Sequence, residues 1–192
     1  MFTINQINNH LSVVILNLDL FSRLFPEKTK RDIELLGSHF LFKKHFKDEN
    51  IEICYDTNRK PYLKNRSEFI SISHSHARLV VCVNKKENTG VDIELIRDKV
   101  LKIKHKFVND SEALAAKDDV EKLITIWAAK EALYKCYGLK NLDFKTNLKV
   151  EGFENDVFYG IIETTGFKKT LLLKKEKIND YLLVYILKDQ AN

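Results

Sequence analysis

Gly90-Val91-Asp92-Ile93-Glu94-Leu95 stands near the middle of a chain of 192 residues. Val91, Ile93 and Leu95 alternate with Asp92 and Glu94, which is the two-residue period of a half-buried strand. Both carboxylates therefore leave the same face of that strand. The polar run Lys85-Lys86-Glu87-Asn88-Thr89 before it reads as a turn, and no low-complexity linker occurs in the chain. The strand is thus expected to open the second of two similar halves.

The flanking elements follow similar orders in both directions. Upstream, the pattern predicts a strand at Leu11 to Leu18. A helix follows from about Lys28 to Phe46, with Pro26 just ahead of it and Ile33, Leu36 and Phe40 on one face. Strands at Ile51 to Tyr55, Phe69 to Ser73 and Leu79 to Asn84 come next. Downstream, a short helix from about Asp110 leads to a long one, then to strands near Leu148 to Phe153, Val157 to Thr164, Thr170 to Lys174 and Tyr181 to Leu187. The fold class is α+β, a pseudo-dimer of two similar halves over residues 1–88 and 89–192. Each half is expected to be a small, mainly antiparallel sheet packed on a long helix, with a ligand cleft between the halves.

The long helix is read over Asp118 to Tyr137, with Asp118 or Asp119 as N-cap and Gly138 at its C-terminal stop. Val120, Leu123, Ile124, Trp127 and Tyr134 fall on one arc, and Glu131 falls near its centre. An ionised carboxylate on an apolar face is costly to bury, so Glu131 should be protonated, paired with a lysine, or bound to a cation. Asp92 and Glu94 supply further oxygen donors for the last option.

Composition limits the remaining choices. A hydrophobic share of 44% with 31% charged residues is ordinary for a soluble globular chain, and the net charge of +5 favours an anionic ligand or an acidic partner. No basic stripe interleaved with aromatics and no groove-reading motif points to nucleic acid. Cys54, Cys82 and Cys136 have no metal-type spacing and leave one thiol over in any disulfide scheme, which favours a reducing cytoplasm. Leu11 to Leu20 is too short to span a bilayer and is interrupted by Asn17 and Asp19, so neither export nor membrane anchoring is expected.

Ser71-Ile72-Ser73-His74-Ser75, Gly90-Val91-Asp92-Ile93-Glu94 and Trp127-Ala128-Ala129-Lys130-Glu131-Ala132-Leu133-Tyr134-Lys135, in this order and at these separations, resemble the motifs of 4′-phosphopantetheinyl transferases. The two-half subfamily, which activates peptide synthetases and lysine-biosynthetic reductases, is the better match. The resemblance reaches weakly to Arg59-Lys60-Pro61-Tyr62 and Leu35-Leu36-Gly37, and so covers roughly Lys28 to Lys135. Taken singly, each motif has a plainer reading. Asp92 and Glu94 could be a solvated strand face, Glu131 and Lys135 an i,i+4 helix pair, and Ser73-His74-Ser75 a polar turn between strands.

The resemblance implies transfer of the phosphopantetheine arm of coenzyme A to a serine of an apo acyl or peptidyl carrier protein, with release of 3′,5′-ADP. Breaking the pyrophosphate linkage calls for a divalent cation and ammonium groups at the phosphates. By resemblance Asp92 and Glu131 are the firmer ligands of Mg²⁺, with Mn²⁺ the alternative, and Glu94 binds directly or through water. Glu131 is also a candidate base for the serine, and Lys135 would reach the transferring phosphate. Ser73 and His74 resemble positions that hold the coenzyme A phosphates, and Lys60 with Pro61 resemble a loop lining the nucleotide. Glu112 matches a further acidic position, although Asp110-Ser111-Glu112 also reads as a plain helix start. Lys130, flanking the apolar arc on its other side, is a weaker candidate, and Trp127 is expected to pack in the core and orient the helix.

One departure concerns the nucleotide end. Ahead of Leu35-Leu36-Gly37 the family often supplies an arginine for the 3′-phosphate, whereas this chain has Asp32, Ile33 and Glu34, leaving Lys28, Lys30 or Arg31 to substitute. A monomer is expected, since fused halves would form internally the cleft that half-length relatives form between subunits. Two other function classes fit the same residues. One is a metal-dependent phosphohydrolase or nuclease, and the other a non-catalytic module binding coenzyme A or a carrier protein.

Overall fold

The structure, a computed structural model, describes residues 1–189 and divides into two compact units, Met1–Thr89 and Gly90–Asn192. In the first unit, strands β1 (Phe2–Gln6) and β2 (Leu11–Asn17) lead into a short helix α1 (Leu18–Ser22) and a long helix α2 (Lys30–Phe46). Strands β3 (Ile53–Tyr55), β4 (Pro61–Leu63), β5 (Phe69–Ser75) and β6 (Arg78–Asn84) follow. Four of them form an antiparallel sheet in the order β1-β2-β6-β5, while β3 and β4 pair apart as a two-stranded ribbon.

Helix α2 starts with a reciprocal capping box. Asp32 N donates to Thr29 Oγ1 at 3.2 Å, and Thr29 N donates to Asp32 Oδ2 at 3.1 Å. Ile33, Leu41 and Phe42 of α2 join Val14, Leu16, Leu79, Val81 and Val83 of the sheet in one core. Gly37 lets the helix lie close, because a Cβ there would come within 2.9 Å of the side chains of Leu16 and Leu79. The unbroken apolar run Leu79 to Val83 is buried on both strand faces, as continuous hydrophobic strands are.

In the second unit, β7 (Val91–Leu95) is followed by the helices α3 (Lys99–Ile103), α4 (Asp110–Ala116) and α5 (Val120–Tyr137). Strands β8 (Leu148–Glu151), β9 (Val157–Thr164), β10 (Phe167–Ile178) and β11 (Tyr181–Asp189) complete it. The sheet is antiparallel, in the order β7-β11-β10-β9-β8, so the last strand among the described residues lies beside the unit's first. Asp119 caps the start of α5 by accepting from Lys122 N, and Gly138, at φ 73°, ends it in the left-handed region.

Each unit is thus an antiparallel sheet with a long helix, as the α+β reading expects. Several boundaries differ. The strand expected to run to Leu18 stops at Asn17, whose side chain accepts from Leu20 N and caps α1. Strand β1 has no counterpart among the elements expected from the sequence. It is an edge strand of five residues with mostly exposed side chains, so it carries little hydrophobic signal. The polar turn expected at Ser73-His74-Ser75 lies later, at His76-Ala77, with His76 at φ 50°. Strand β10 runs well past Thr170 to Lys174, because its lysine-rich ends pair with β9 and β11 through backbone bonds that composition does not reveal.

Candidate active site

Trp127, Glu131 and Lys135 are spaced four residues apart and so share one stripe of α5. That stripe meets β7. Lys135 Nζ donates to Asp92 Oδ1 at 2.7 Å and to Val91 O at 3.1 Å, and Trp127 Nε1 donates to Glu94 Oε1 at 3.0 Å. Gly90, at the head of β7, is what permits this approach. A Cβ there would stand 1.9 Å from the carbonyl oxygen of Ala132 and 2.8 Å from its carbon.

The electrostatics follow from this crowding. Burial, then the Asp92 charge, pushes the Glu131 carboxyl up to about 7; Lys135 opposes the rise and Glu94 adds to it. Asp92 is only 3% exposed and gains its charge compensation from the Lys135 ammonium. Asp92 and Glu94 thus both act electrostatically on Glu131. Even so, no three His, Cys, Asp or Glu side chains among the described residues are already drawn into a metal-holding group. Asp92 is turned to Lys135 and Glu94 to Trp127. The donor chemistry nevertheless fits a hard divalent cation. It consists of carboxylate oxygens, and the like charge that lifts Glu131 is what a cation would relieve.

Lys130, one residue from Glu131, is fully buried in a different direction. Its ammonium donates to Glu112 Oε2 at 2.7 Å, Phe107 O at 2.6 Å and Phe144 O at 2.9 Å. Burial lowers its pKa, and the Glu112 charge acts against that. Glu112 also accepts from Val150 N at 3.0 Å through Oε1 and from Asn109 N at 2.9 Å through Oε2. Glu112 therefore sits in the core, paired with Lys130 and capping α4, and Asn109 rather than Asp110 is the N-cap.

Sequence reasoning missed two of these roles. Trp127 is half-buried and packs against the core, beside the rings of Phe107 and Phe144 at 5.0 and 5.5 Å, and its indole N–H also holds Glu94. Lys130 does not border an apolar arc, because α5 is buried nearly all round. The small apolar residues Ala128, Ala129, Ala132 and Leu133 on both sides of Lys130-Glu131 are the available sign of that. A hollow of about 190 Å³ opens beside Glu94 and Trp127, with Val100, Ile103 and Ile124 giving it apolar walls and Arg97 and Lys99 positive charge.

The first unit holds the candidates for the nucleotide. His74 and Ser73 lie on opposite faces of β5 because successive strand residues alternate. His74 Nδ1 stands 3.2 Å from Glu34 Oε1 of α2, whereas Ser73 is buried on the other face with Ser71 and Ser75. Lys60 Nζ donates to Asn88 Oδ1 at 3.0 Å, and Pro61 begins β4 rather than lying in a loop. Lys28 lines a cavity of about 500 Å³ together with Arg23, Lys30 and His76, while Arg31 stands exposed on α2. The residues found where an arginine was expected have structural work. Asp32 caps α2, Ile33 enters the core, and Glu34 meets His74 and Lys30.

The model of the 4′-phosphopantetheinyl transferase superfamily, ACPS, matches residues 88–186, and the chain belongs to that superfamily. No curated protein matches the chain. Members of this superfamily are transferases that move phosphopantetheine from coenzyme A to a carrier protein. Asp92, Glu94, Glu112, Glu131 and Lys135 all lie inside the matched span, and Lys28, Arg31, Lys60, Pro61, Ser73 and His74 lie before it. No helix among the described residues is long and apolar enough to cross a membrane.

Proposed function

We propose that this protein is a Mg²⁺-dependent phosphopantetheinyl transferase of the two-half kind, which modifies a serine of an apo acyl or peptidyl carrier protein and releases 3′,5′-ADP. The observation that carries this reading is the single stripe of α5 on which Glu131 and Lys135 stand against Asp92 and Glu94, within the span matched by the family. Asp92, Glu94 and Glu131 would hold the cation. When bound, Mg²⁺ supplies positive charge to the pyrophosphate oxygens.

The chain's own groups do the rest. Lys135 neutralises charge developing on the transferred phosphate, which is where fixed donors contribute most. Glu131 accepts the proton of the carrier serine, either directly or through a water held on its carboxylate. Lys28, Arg31, Lys60, Pro61, Ser73 and His74 are assigned to coenzyme A, with the cationic cavity at Lys28 supporting phosphate recognition. Ser73 and His74 serve different parts of the ligand, since their side chains leave opposite faces of β5. The hollow beside Glu94, with Arg97 and Lys99, suits an acidic carrier helix that carries an apolar side chain.

Intact-mass measurement of several apo carriers incubated with protein, coenzyme A and Mg²⁺ tests this reading. Addition of the phosphopantetheine mass to a carrier, lost in Asp92→Ala, is the expected result. Hydrolysis of coenzyme A in the absence of any carrier, with no carrier gaining mass, would overturn it in favour of a phosphohydrolase.

A further inference from the structure

The pair Glu112–Lys130 is buried more completely than any group assigned to the reaction, with side chains 1% and 0% exposed. Buried ion pairs of this kind seldom stabilise a fold more than apolar residues of the same volume would, so the presence of this one calls for another explanation. The contacts supply one. Lys130 donates to the backbone carbonyls of Phe107 and Phe144. The rings of those same two residues enclose Trp127, at centroid distances of 5.0 and 5.5 Å. Trp127 in turn holds Glu94 through its indole N–H. A chain of contacts thus runs from Glu112 to a carboxylate of the site without a gap.

Lys130 also bears on Glu131 directly, since it precedes that residue by one position, about 100° around the helix. Three oxygens from separate segments fix the Lys130 ammonium, which pins the rotation of α5 at this turn. A carboxylate about 6 Å from the helix axis moves roughly 1 Å for each 10° of rotation, and a 1 Å error at a reacting centre costs about 100-fold in rate.

We propose that Glu112 and Lys130 are positioning residues for this site: by fixing Phe107, Phe144 and the rotation of α5, they set Trp127 and Glu94 on one side and Glu131 on the other. The inference rests on the transferase reading for its link to catalysis, but its structural part has its own readout. Trp127 is the single tryptophan of the chain, so its emission reports the indole environment without interference.

The test is the charge-neutral double variant Glu112→Gln/Lys130→Met, which removes the pair without leaving a lone buried charge. The expected result is a cooperatively folded protein with shifted Trp127 emission and Mg²⁺ affinity weakened about 10-fold, the lower end for loss of groups that orient ligands. Turnover should fall about 10- to 100-fold with KM for coenzyme A unchanged. A folded double variant with wild-type emission and wild-type Mg²⁺ affinity overturns the proposal. Should the double variant not fold, the near-isosteric Glu112→Gln alone carries the same readouts. Failure of that variant to fold as well overturns the proposal, because the pair would then serve the fold itself. If wild-type protein binds Mg²⁺ but modifies no carrier, the transferase reading falls, while emission and Mg²⁺ affinity still decide the positioning role.

Discussion

Replacing Gly90 by alanine gives the sharpest test of how the site is assembled. Gly90 has no positive φ to accommodate, so the substitution adds only volume. The new Cβ would lie 1.9 Å from Ala132 O, 2.8 Å from Ala132 C and 3.2 Å from Cys136 N. All three are backbone atoms of α5, and none has a side-chain torsion to rotate away. Restoring even a contact of about 3.0 Å needs more than about 1 Å of movement between β7 and α5. Overpacking of this kind costs about 1–3 kcal/mol, and two facing backbones place the cost at the upper end. Glu131 adjoins Ala132, so the same movement separates Glu131 and Lys135 from Asp92 and Glu94, at about 100-fold in turnover.

Urea denaturation and single-turnover transfer to an apo carrier would measure the two effects. Gly166→Ala is the control. At Gly166, with φ 77°, an added Cβ would meet nothing within 4 Å, so alanine there costs about 1–2 kcal/mol of left-handed strain and leaves the site in place. The expected pattern is lost stability in both variants and lost turnover only in Gly90→Ala. Wild-type turnover in a folded Gly90→Ala protein would refute the argument that close approach of α5 to β7 builds the site.

Four further outcomes are expected. Lys135→Met removes the ammonium on Asp92 and should lower turnover about 100-fold, the usual scale for one donor aimed at developing charge, as read by carrier mass over time. Glu131→Gln removes like charge facing Asp92 and Glu94, so it should gain about 0.5–2 kcal/mol in urea denaturation at pH 8 while abolishing transfer; a loss of stability would show Glu131 to be a structural partner. Mg²⁺ at about 100 times its dissociation constant should stabilise the protein by about 2.7 kcal/mol and raise its melting temperature. That rise should disappear with EDTA and in Asp92→Asn. Finally, burial and then the Lys85 charge hold the His45 imidazole below its ordinary value of 6.5. The unfolded chain therefore takes up this proton first, and stability should fall as pH drops below about 6.5, with a shallower fall in His45→Phe.

The strand at Asp92 was legible from its unmixed period, and the helix at Glu131 from its clear end signals. Alternation placed Asp92 with Glu94, and Asp119 and Gly138 bounded α5. What escaped was set by partners distant in sequence. Glu112 reads first as a helix start and less readily as a site acid, and only Lys130, eighteen residues on, with Val150 beyond it, makes it a core group. Ser73 and His74 form one motif in sequence, yet the pleat of β5 sends them to opposite faces. Ser-His-Ser carries turn composition, whereas the hairpin register closes only at His76-Ala77. Lys28 was legible as a cation but not as part of a cavity, since Arg23 and His76 come from other parts of the chain.

Lys130 and Glu131 show why a helix buried nearly all round defeats a reading by arcs. They are adjacent, oppositely charged and both surrounded by apolar neighbours in sequence. Lys130 meets three oxygens, and a cation so fully coordinated has nothing further to bind. Glu131 meets two like charges and one ammonium already given to Asp92, and a carboxylate in that setting is stabilised by any cation that arrives. The same burial that encloses a fully paired ammonium holds its neighbour's carboxyl up to about 7. Which is which depends on the sign of the groups that β7, α4 and the segments at Phe107 and Phe144 bring up. A carboxylate left among like charges is a poor choice for stability alone, and its place in α5 accords with the cation site proposed for Asp92, Glu94 and Glu131.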